Sequence, residues 1–60
     1  MNNIRELRLK RKMTQQDLGE KLGVTRVAVC NWESGVAKPR TEILPALAKV
    51  LRCKIDALFF

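Results

Sequence analysis

The stretch TQQDLGEKLGVTRVAVCNWESG, residues 14–35, contains two helix-start signals separated by a glycine. Thr14, with an acidic residue three positions later, can satisfy free backbone amides at the start of one helix, and Gly23 can end that helix in the left-handed conformation. Thr25 is suited to cap the next helix, which Gly35 can close. The segment therefore predicts two short helices joined by a tight turn.

The second of these helices has two different faces. At about 100° per residue, Ala28, Val29 and Trp32 fall on one side, and the large apolar area of Trp32 marks that side as the core face. The opposite side carries Arg26, Val27, Cys30 and Asn31. Arginine can bond guanine, asparagine can bond adenine and valine can touch a thymine methyl, so this side suits a DNA major groove. A solvated helix with one exposed valine is the alternative that this helix alone leaves open.

The flanking sequence predicts further helices. Asn3 and Glu6 have the spacing of a capping pair for a first helix, and a fourth helix is expected after a loop at residues 36–40. The buried face of the fourth helix is predicted to carry Ile43, Leu44, Leu47, Ala48 and Leu51. The final seven residues form a short apolar segment. The sequence shows no strand pattern, repeat or linker, so we expect one all-α domain spanning residues 1–60.

The composition indicates an anionic partner. The 60 residues include 12 Lys and Arg against 6 Asp and Glu, for a net charge of +6 and a pI near 10.0, which suits nucleic acid or a membrane surface. The longest apolar run, Ile43 to Ala48, is far shorter than the roughly 20 residues that cross a bilayer, and no hydrophobic signal region is present at the N-terminus. We therefore expect a soluble, cytoplasmic protein.

Residues for catalysis or metal binding are sparse. Cys30 and Cys53 lack the close spacing of a metal or redox pair, and the chain has no histidine, so we expect reduced thiols, no metal and no cofactor. The acidic residues fit solvated or capping positions, and no glycine-rich phosphate loop occurs. We expect neither enzymatic activity nor a small-molecule ligand.

The stretch IRELRLKRKMTQQDLGEKLGVTRVAVCNWESG, followed by KPR, ILPALAKVL and IDALF, resembles the Cro and phage-repressor type of helix-turn-helix domain, the XRE-like family. These stretches cover nearly the whole chain. The resemblance implies a compact, lambda-repressor-like fold of five helices, in which helices two and three form the motif and helix three, about residues 25–34, reads the major groove. It also implies a transcriptional regulator, in particular a repressor, that binds a pseudo-palindromic double-stranded DNA operator as a homodimer.

The resemblance further implies roles for individual side chains. On helix three, the side chains that would face base edges are Arg26, Val27 and Asn31. Cys30 is unusual for the family on this face, and we expect it to be a small neutral contact rather than a redox switch. The residues that would touch backbone phosphates are Gln15, Lys38 and Arg40. A structural ion pair would join Arg8 to Glu33. The dimer would form through the C-terminal segment at Leu58, Phe59 and Phe60, with closure of the core of the single chain as the alternative for the two phenylalanines.

Three further positions depart from the family pattern. Gly19 stands where a small alanine is usual, Arg52 stands where a glycine normally ends helix four, and Lys54 stands where a serine cap is common. Arg52 must therefore either adopt a left-handed conformation or change the turn. The expected geometry of the C-terminal turn rests on that choice.

Two other functions remain open from the sequence. A protein-interaction module, such as an antitoxin-like or bridging factor with weak DNA binding, would use a patch at residues 58–60. A basic helix lying on a membrane surface is the other, although the apolar faces here are already needed for one another. The basic run Lys10, Arg11 and Lys12 similarly fits either a solvated turn or a phosphate contact.

Overall fold

The computed structural model describes residues 3–58 as an arrangement of helices. The elements, in chain order, are α1 (Ile4–Lys10), α2 (Gln15–Leu22), α3 (Arg26–Ser34), a 3₁₀ segment (Thr41–Ile43), α4 (Leu44–Leu51) and a second 3₁₀ segment (Ile55–Leu58). No strand occurs among the described residues, and the predicted all-α fold is confirmed. The fifth helix that the family resemblance implied is a 3₁₀ segment.

The start signals of α2 and α3 form as the sequence predicted. The hydroxyl oxygen of Thr14 accepts from the Asp17 backbone N–H at 3.0 Å, and the Asp17 carboxylate accepts from the Thr14 N–H at 3.0 Å. The hydroxyl oxygen of Thr25 accepts from the Ala28 N–H at 3.1 Å. These bonds satisfy amides that lack partners inside the helices, so local sequence determines where α2 and α3 begin.

The predicted capping interaction between Asn3 and Glu6 at the start of α1 is wrong. The Asn3 side chain makes no cap bond to its own helix; its Nδ2 donates to the Ala57 carbonyl at 3.0 Å. The Asn3 backbone N–H donates to the Leu58 carbonyl at 2.8 Å. Asn3 therefore joins the start of α1 to the second 3₁₀ segment, because a tertiary partner is available to its amide in place of the local one.

Four helix ends place one residue each in the left-handed region. Gly23 and Gly35 do so after α2 and α3, with φ of 72° and 85°. Lys12 and Arg52 do so after α1 and α4, with φ of 57° and 56°. The turn after α4 thus keeps its usual shape with arginine in the left-handed position, and the Cys53 N–H donates to the Ala48 carbonyl at 2.9 Å. The left-handed Lys12 was not anticipated.

The core is formed by one side of each α-helix and by the last segment. Its buried hydrophobic side chains are Ile4, Leu18, Val29, Trp32, Leu47, Ala48, Leu51 and Leu58. Two residues predicted for the buried face of helix four lie at its margin, because Ile43 belongs to the 3₁₀ segment and Leu44 begins α4, and both are only partly buried.

Gly19 allows α2 and α3 to approach closely. A Cβ atom at this position would lie 2.8 Å from the Val24 carbonyl oxygen, a distance that would force the backbone of the α2–α3 turn to move. Glycine here therefore fits the crossing of the two helices, although it lowers the intrinsic helix propensity of α2.

The lengths of the described helices bear on membrane insertion. No helix between residues 3 and 58 is long and apolar enough to span a bilayer.

Candidate nucleic-acid interface

The outward face of α3 is the first component of the candidate interface. Val29 and Trp32 are 0% and 5% exposed, so the predicted core face of this helix is confirmed. Val27, on the other side, is 56% exposed, and Arg26 is also exposed. The helix therefore presents an arginine and a valine together in its first turn, beyond the surface that the core uses.

Cys30 and Asn31 lie on the same helix and are less exposed than Arg26 and Val27. Both are partly buried, and the Asn31 backbone carbonyl accepts from the Ala37 N–H at 3.2 Å and from the Ser34 hydroxyl at 3.3 Å. The first of these bonds holds the chain after α3 against the end of that helix. The four residues predicted to read bases therefore lie on a helix whose C-terminal end is anchored.

A buried ion pair joins α1 to α3 behind this face. Arg8 Nε donates to Glu33 Oε2 at 2.6 Å and Arg8 Nη2 donates to Glu33 Oε1 at 3.2 Å. The two side chains are 8% and 6% exposed. Arg8 Nη1 also donates to the Met13 carbonyl at 2.7 Å. The guanidinium thus bonds two segments at once, and the bidentate geometry fixes α3 relative to α1.

Gln15 is held by the same carboxylate. Its Nε2 donates to Glu33 Oε1 at 3.0 Å, so the side chain in the first turn of α2 has a fixed direction. The structure therefore brings Gln15 together with Arg8 and Glu33 in one hydrogen-bonded group, which we call the Glu33 cluster. The sequence analysis paired Arg8 with Glu33 and gave Gln15 a separate role, and it did not predict that the same carboxylate also orients Gln15.

A small concavity of about 270 Å³ lies against the Glu33 cluster. It is lined by that cluster together with Arg5, Cys30 and Ser34. Two predicted contact residues, Gln15 and Cys30, therefore share one depression between α1, α2 and α3. Arg5 was missed by the sequence analysis, although its position one turn before Arg8 on the same helix places the two side chains on neighbouring parts of one face.

Lys38 and Arg40 lie outside that concavity, in the loop after α3. Both are exposed, whereas Pro39 between them is buried. The buried proline anchors the loop to the body of the protein and leaves a cation on each side directed to solvent. The sequence predicted the two cations in this loop but not the anchor, since the burial of one proline depends on tertiary packing.

The predicted dimer residues have a different outcome. Leu58 is 0% exposed within a single chain, so its assignment to a dimer interface is wrong. Its side chain completes the core, and its carbonyl accepts from Asn3. Phe59 and Phe60 lie outside the described residues.

Two ionisable groups have shifted pKa values. Hydrogen bonds from the backbone and hydroxyl of Thr14 lower the pKa of the Asp17 carboxyl, which keeps the carboxylate in its charged, capping form. Burial raises the pKa of the Cys53 thiol, with the charge of Arg11 acting against that rise. A protonated thiol is a poor nucleophile, so the Cys53 thiol is not prepared for nucleophilic chemistry.

Comparison with known proteins shows the family. A helix-turn-helix family model matches residues 4–58. Repressor protein C2 of Salmonella phage P22 is 44% identical over 55 residues, covering 92% of this chain and 26% of the phage protein. The transcriptional activator BcrR of Enterococcus faecalis is 38% identical over 55 residues, covering 92% of this chain and 27% of the activator. The chain thus spans about a quarter of the length of these two relatives.

A solved structure has the same fold. The crystal structure of the P22 c2 repressor protein in complex with synthetic operator 9T, in the presence of Tl+, aligns with a TM-score of 0.88 at 43% identity. The alignment covers 93% of this chain and 85% of that chain. With its capped α2, its glycine turn, its exposed α3 face and a family match over 55 of its residues, this chain belongs to the helix-turn-helix family.

Proposed function

We propose that this chain is a sequence-specific DNA-binding domain of a transcriptional regulator, with α3 lying in the major groove. The observation that carries the proposal is the outward face of α3, where Arg26 and a 56%-exposed Val27 lie together on a helix oriented by the Glu33 cluster. The similarity to a repressor solved in complex with an operator supports it. We assign the chain no catalytic activity and place its action in the cytoplasm.

Four side chains of α3 would read bases. Arg26 would donate two hydrogen bonds to a guanine, and Asn31 would pair with an adenine edge. Val27 would contact a thymine methyl, and its exposure gives it an apolar surface that the fold does not use. Cys30, which lines the concavity, would add a small neutral contact.

Phosphate contacts would hold the duplex on both sides of α3. Gln15, oriented by Glu33, and Arg5 would bind the backbone on the α1 and α2 side. Lys38 and Arg40, directed outward by the buried Pro39, would bind it on the loop side. Such contacts fix the position of a protein on DNA, while the base contacts of α3 supply the sequence preference.

The size of the chain favours two copies on one operator. Its Cα atoms extend over 23 × 23 × 20 Å, whereas one turn of duplex is about 34 Å long. One copy would therefore cover about one half-site. A homodimer would place two α3 helices in successive major grooves of a pseudo-palindrome, and we propose repression by occupancy of that site. The relatives include a repressor and an activator. The structural similarity of this chain to a repressor favours repression.

Selection from a random duplex library tests the proposal. The protein is mixed with the library at fixed moderate salt, because affinity for DNA depends steeply on salt. Bound duplexes are sequenced, and the winner is titrated against a scrambled duplex. We expect an inverted repeat whose half-sites are about one helical turn apart.

A matched pair of variants makes the test specific to α3. Arg26→Ala and Lys54→Ala each remove one exposed positive charge, but only the first alters the proposed reading face. Arg26→Ala is expected to relax the base preference at one position of each half-site, and Lys54→Ala is expected to keep the parent preference. A library that shows no enrichment with the parent protein would contradict DNA reading and support a protein-interaction module.

A further inference from the structure

A second concave surface lies where three helices end. Its volume is about 610 Å³, and it is formed by the C-terminal ends of α1, α2 and α4. Six cationic residues line it: Lys10, Arg11, Lys12, Lys21, Lys49 and Arg52. We call this surface the basic concavity. It collects half of the 12 Lys and Arg residues of the chain.

The charge of the basic concavity exceeds what the helix ends require. Each helix C-terminus carries the equivalent of about half a negative charge, so three ends can balance about 1.5 positive charges. Asp17 and Glu20 lie beside Lys21 at the edge of this surface and supply two more negative charges. A net positive charge of about 2.5 remains after both are subtracted from six. Helix-end electrostatics and neighbouring carboxylates therefore account for only part of the cluster.

Two of the cations occupy backbone positions that favour glycine. Lys12 and Arg52 have φ of 57° and 56°, in the region where a side chain raises the energy of the backbone. The chain uses glycine at the corresponding ends of α2 and α3, at Gly23 and Gly35. Both cationic exceptions line the basic concavity, so positive charge occupies positions where glycine would suit the fold better.

The basic concavity is separate from the candidate nucleic-acid interface. Among its described lining residues, none belongs to α3 or to the loop at residues 36–40. Lys21 lies six residues after Gln15 along α2, which is about 9 Å along the helix axis. The two surfaces therefore use opposite ends of α2.

The floor of the basic concavity contains apolar groups. Met13 and Val50 line it and pack against the core while remaining partly exposed. A DNA backbone would bring phosphates to the cations, but between them it carries only sugar rings and no apolar side chain long enough to fill this floor. A peptide with carboxylates on both sides of an apolar side chain complements both the rim and the floor, and the volume is within the range of ligand-sized pockets.

We propose that the basic concavity docks an acidic segment of a partner protein, in which Asp or Glu residues flank an apolar side chain. The apolar side chain contacts Met13 and Val50, and the carboxylates face the surrounding cations. This surface is independent of operator binding, so a regulator bound to DNA through α3 can hold a protein partner at its other end.

The probe is a short fluorescein-labelled peptide in which pairs of glutamates flank single leucines. A second peptide has every glutamate replaced by glutamine. Binding is followed by fluorescence anisotropy at about 0.15 M salt, where exposed charges act over only about 8 Å. We expect saturable binding of the glutamate peptide and much weaker binding of the glutamine peptide.

Two variants that each lose two positive charges locate the binding site. Lys12→Gly with Arg52→Gly removes charge from the basic concavity and places glycine where φ is positive, so this variant should melt no lower than the parent. It is expected to bind the glutamate peptide about tenfold more weakly, because two exposed charge contacts are lost. Lys38→Gln with Arg40→Gln removes the same charge from the α3 side and is expected to bind the peptide like the parent.

Three results would overturn the proposal. Equal losses in the two variants would show attraction by overall charge, and equal binding of both peptides would show an apolar contact alone. The third result is displacement of the peptide by a random-sequence duplex. If that duplex also binds the Lys12→Gly and Arg52→Gly variant more weakly than it binds the parent and the other variant, the surface is assigned to DNA phosphates. Loss of sequence preference in the library selection would leave these peptide results unchanged, so the two proposals fail separately.

Discussion

Arg8 and Arg26 carry the same guanidinium group in opposite environments. Arg8 is 7% exposed and donates to Glu33 and to the Met13 carbonyl, whereas Arg26 is exposed in the first turn of α3. The bonding capacity of Arg8 is used inside the protein, where it fixes the direction of α3. The donors of Arg26 face solvent, where a ligand can reach them. The first arginine prepares the surface that displays the second.

Removing the buried guanidinium should have the largest effect. Arg8→Ala leaves Glu33 buried without its cation, which costs about 3 to 5 kcal/mol in other proteins. In a chain of this size we expect most of the native state to be lost, measured as the free energy of unfolding in urea. The double variant Arg8→Met with Glu33→Leu removes both charges and should recover much of that loss. An Arg8→Ala protein within 1 kcal/mol of the parent, on the order of a surface pair, would contradict a structural role.

Replacement of a third arginine, Arg52, should stabilise the protein, whereas replacement of Arg8 should destabilise it. Arg52→Gly removes an exposed side chain from the left-handed position after α4, and we expect stabilisation by about 1 kcal/mol. Arg52→Ala is the control, because it removes the same charge but keeps a Cβ at positive φ. Thermal melting of the three proteins measures the difference. If alanine and glycine stabilise equally, charge repulsion rather than backbone conformation sets the energy at this position.

Lys38 should affect binding but not folding. Its exposed ammonium is proposed to contact phosphate, so Lys38→Gln should weaken all duplexes alike and reduce the slope of log affinity against log salt by about 1. Its unfolding curve should superimpose on that of the parent. Titrations of the selected operator and a scrambled duplex at several salt concentrations measure the slope. A loss confined to the selected operator would make Lys38 a base reader instead.

The smallest effect is expected at Asp17 and depends on pH. Thr14 lowers the folded-state pKa of this carboxyl below its ordinary value of 3.8. The capping contribution is therefore fully present above the unfolded-state pKa and is lost as pH falls through the folded-state pKa. Asp17→Asn should remove that part of the pH dependence below about pH 4. Identical acid-unfolding profiles for Asp17→Asn and the parent would show that the cap contributes no pH-dependent stability.

Local rules explain what the sequence predicted well. The cap at Thr14, the left-handed Gly23 and the core side of Trp32 each depend on residues within one or two helical turns. The family resemblance added the pairing of Arg8 with Glu33, which no local rule supplies. Prediction of the all-α fold therefore rests on two kinds of information, local spacing and family similarity, and the structure confirms it.

Long-range contacts explain the errors. Asn3 has the spacing of a local cap, yet its amide finds the Ala57 carbonyl at the other end of the sequence. Leu58 looked available to a partner because its segment is short and apolar, but the core of the single chain buries it. The buried Pro39 and the sharing of Glu33 by Arg8 and Gln15 likewise depend on elements that meet only in the folded protein.

The hydrogen bonds of Asn3 also bear on the topology of the chain. The Asn3 nitrogen and the Leu58 carbonyl oxygen are 2.8 Å apart, so residues 3 and 58, the two ends of the described part of the chain, lie side by side. Joining residue 58 to residue 3 through a short linker would therefore keep the contacts among the described residues while restricting the unfolded chain. Opening the resulting ring at another exposed loop would give a circular permutant in which Asn3 and Leu58 are close neighbours in sequence.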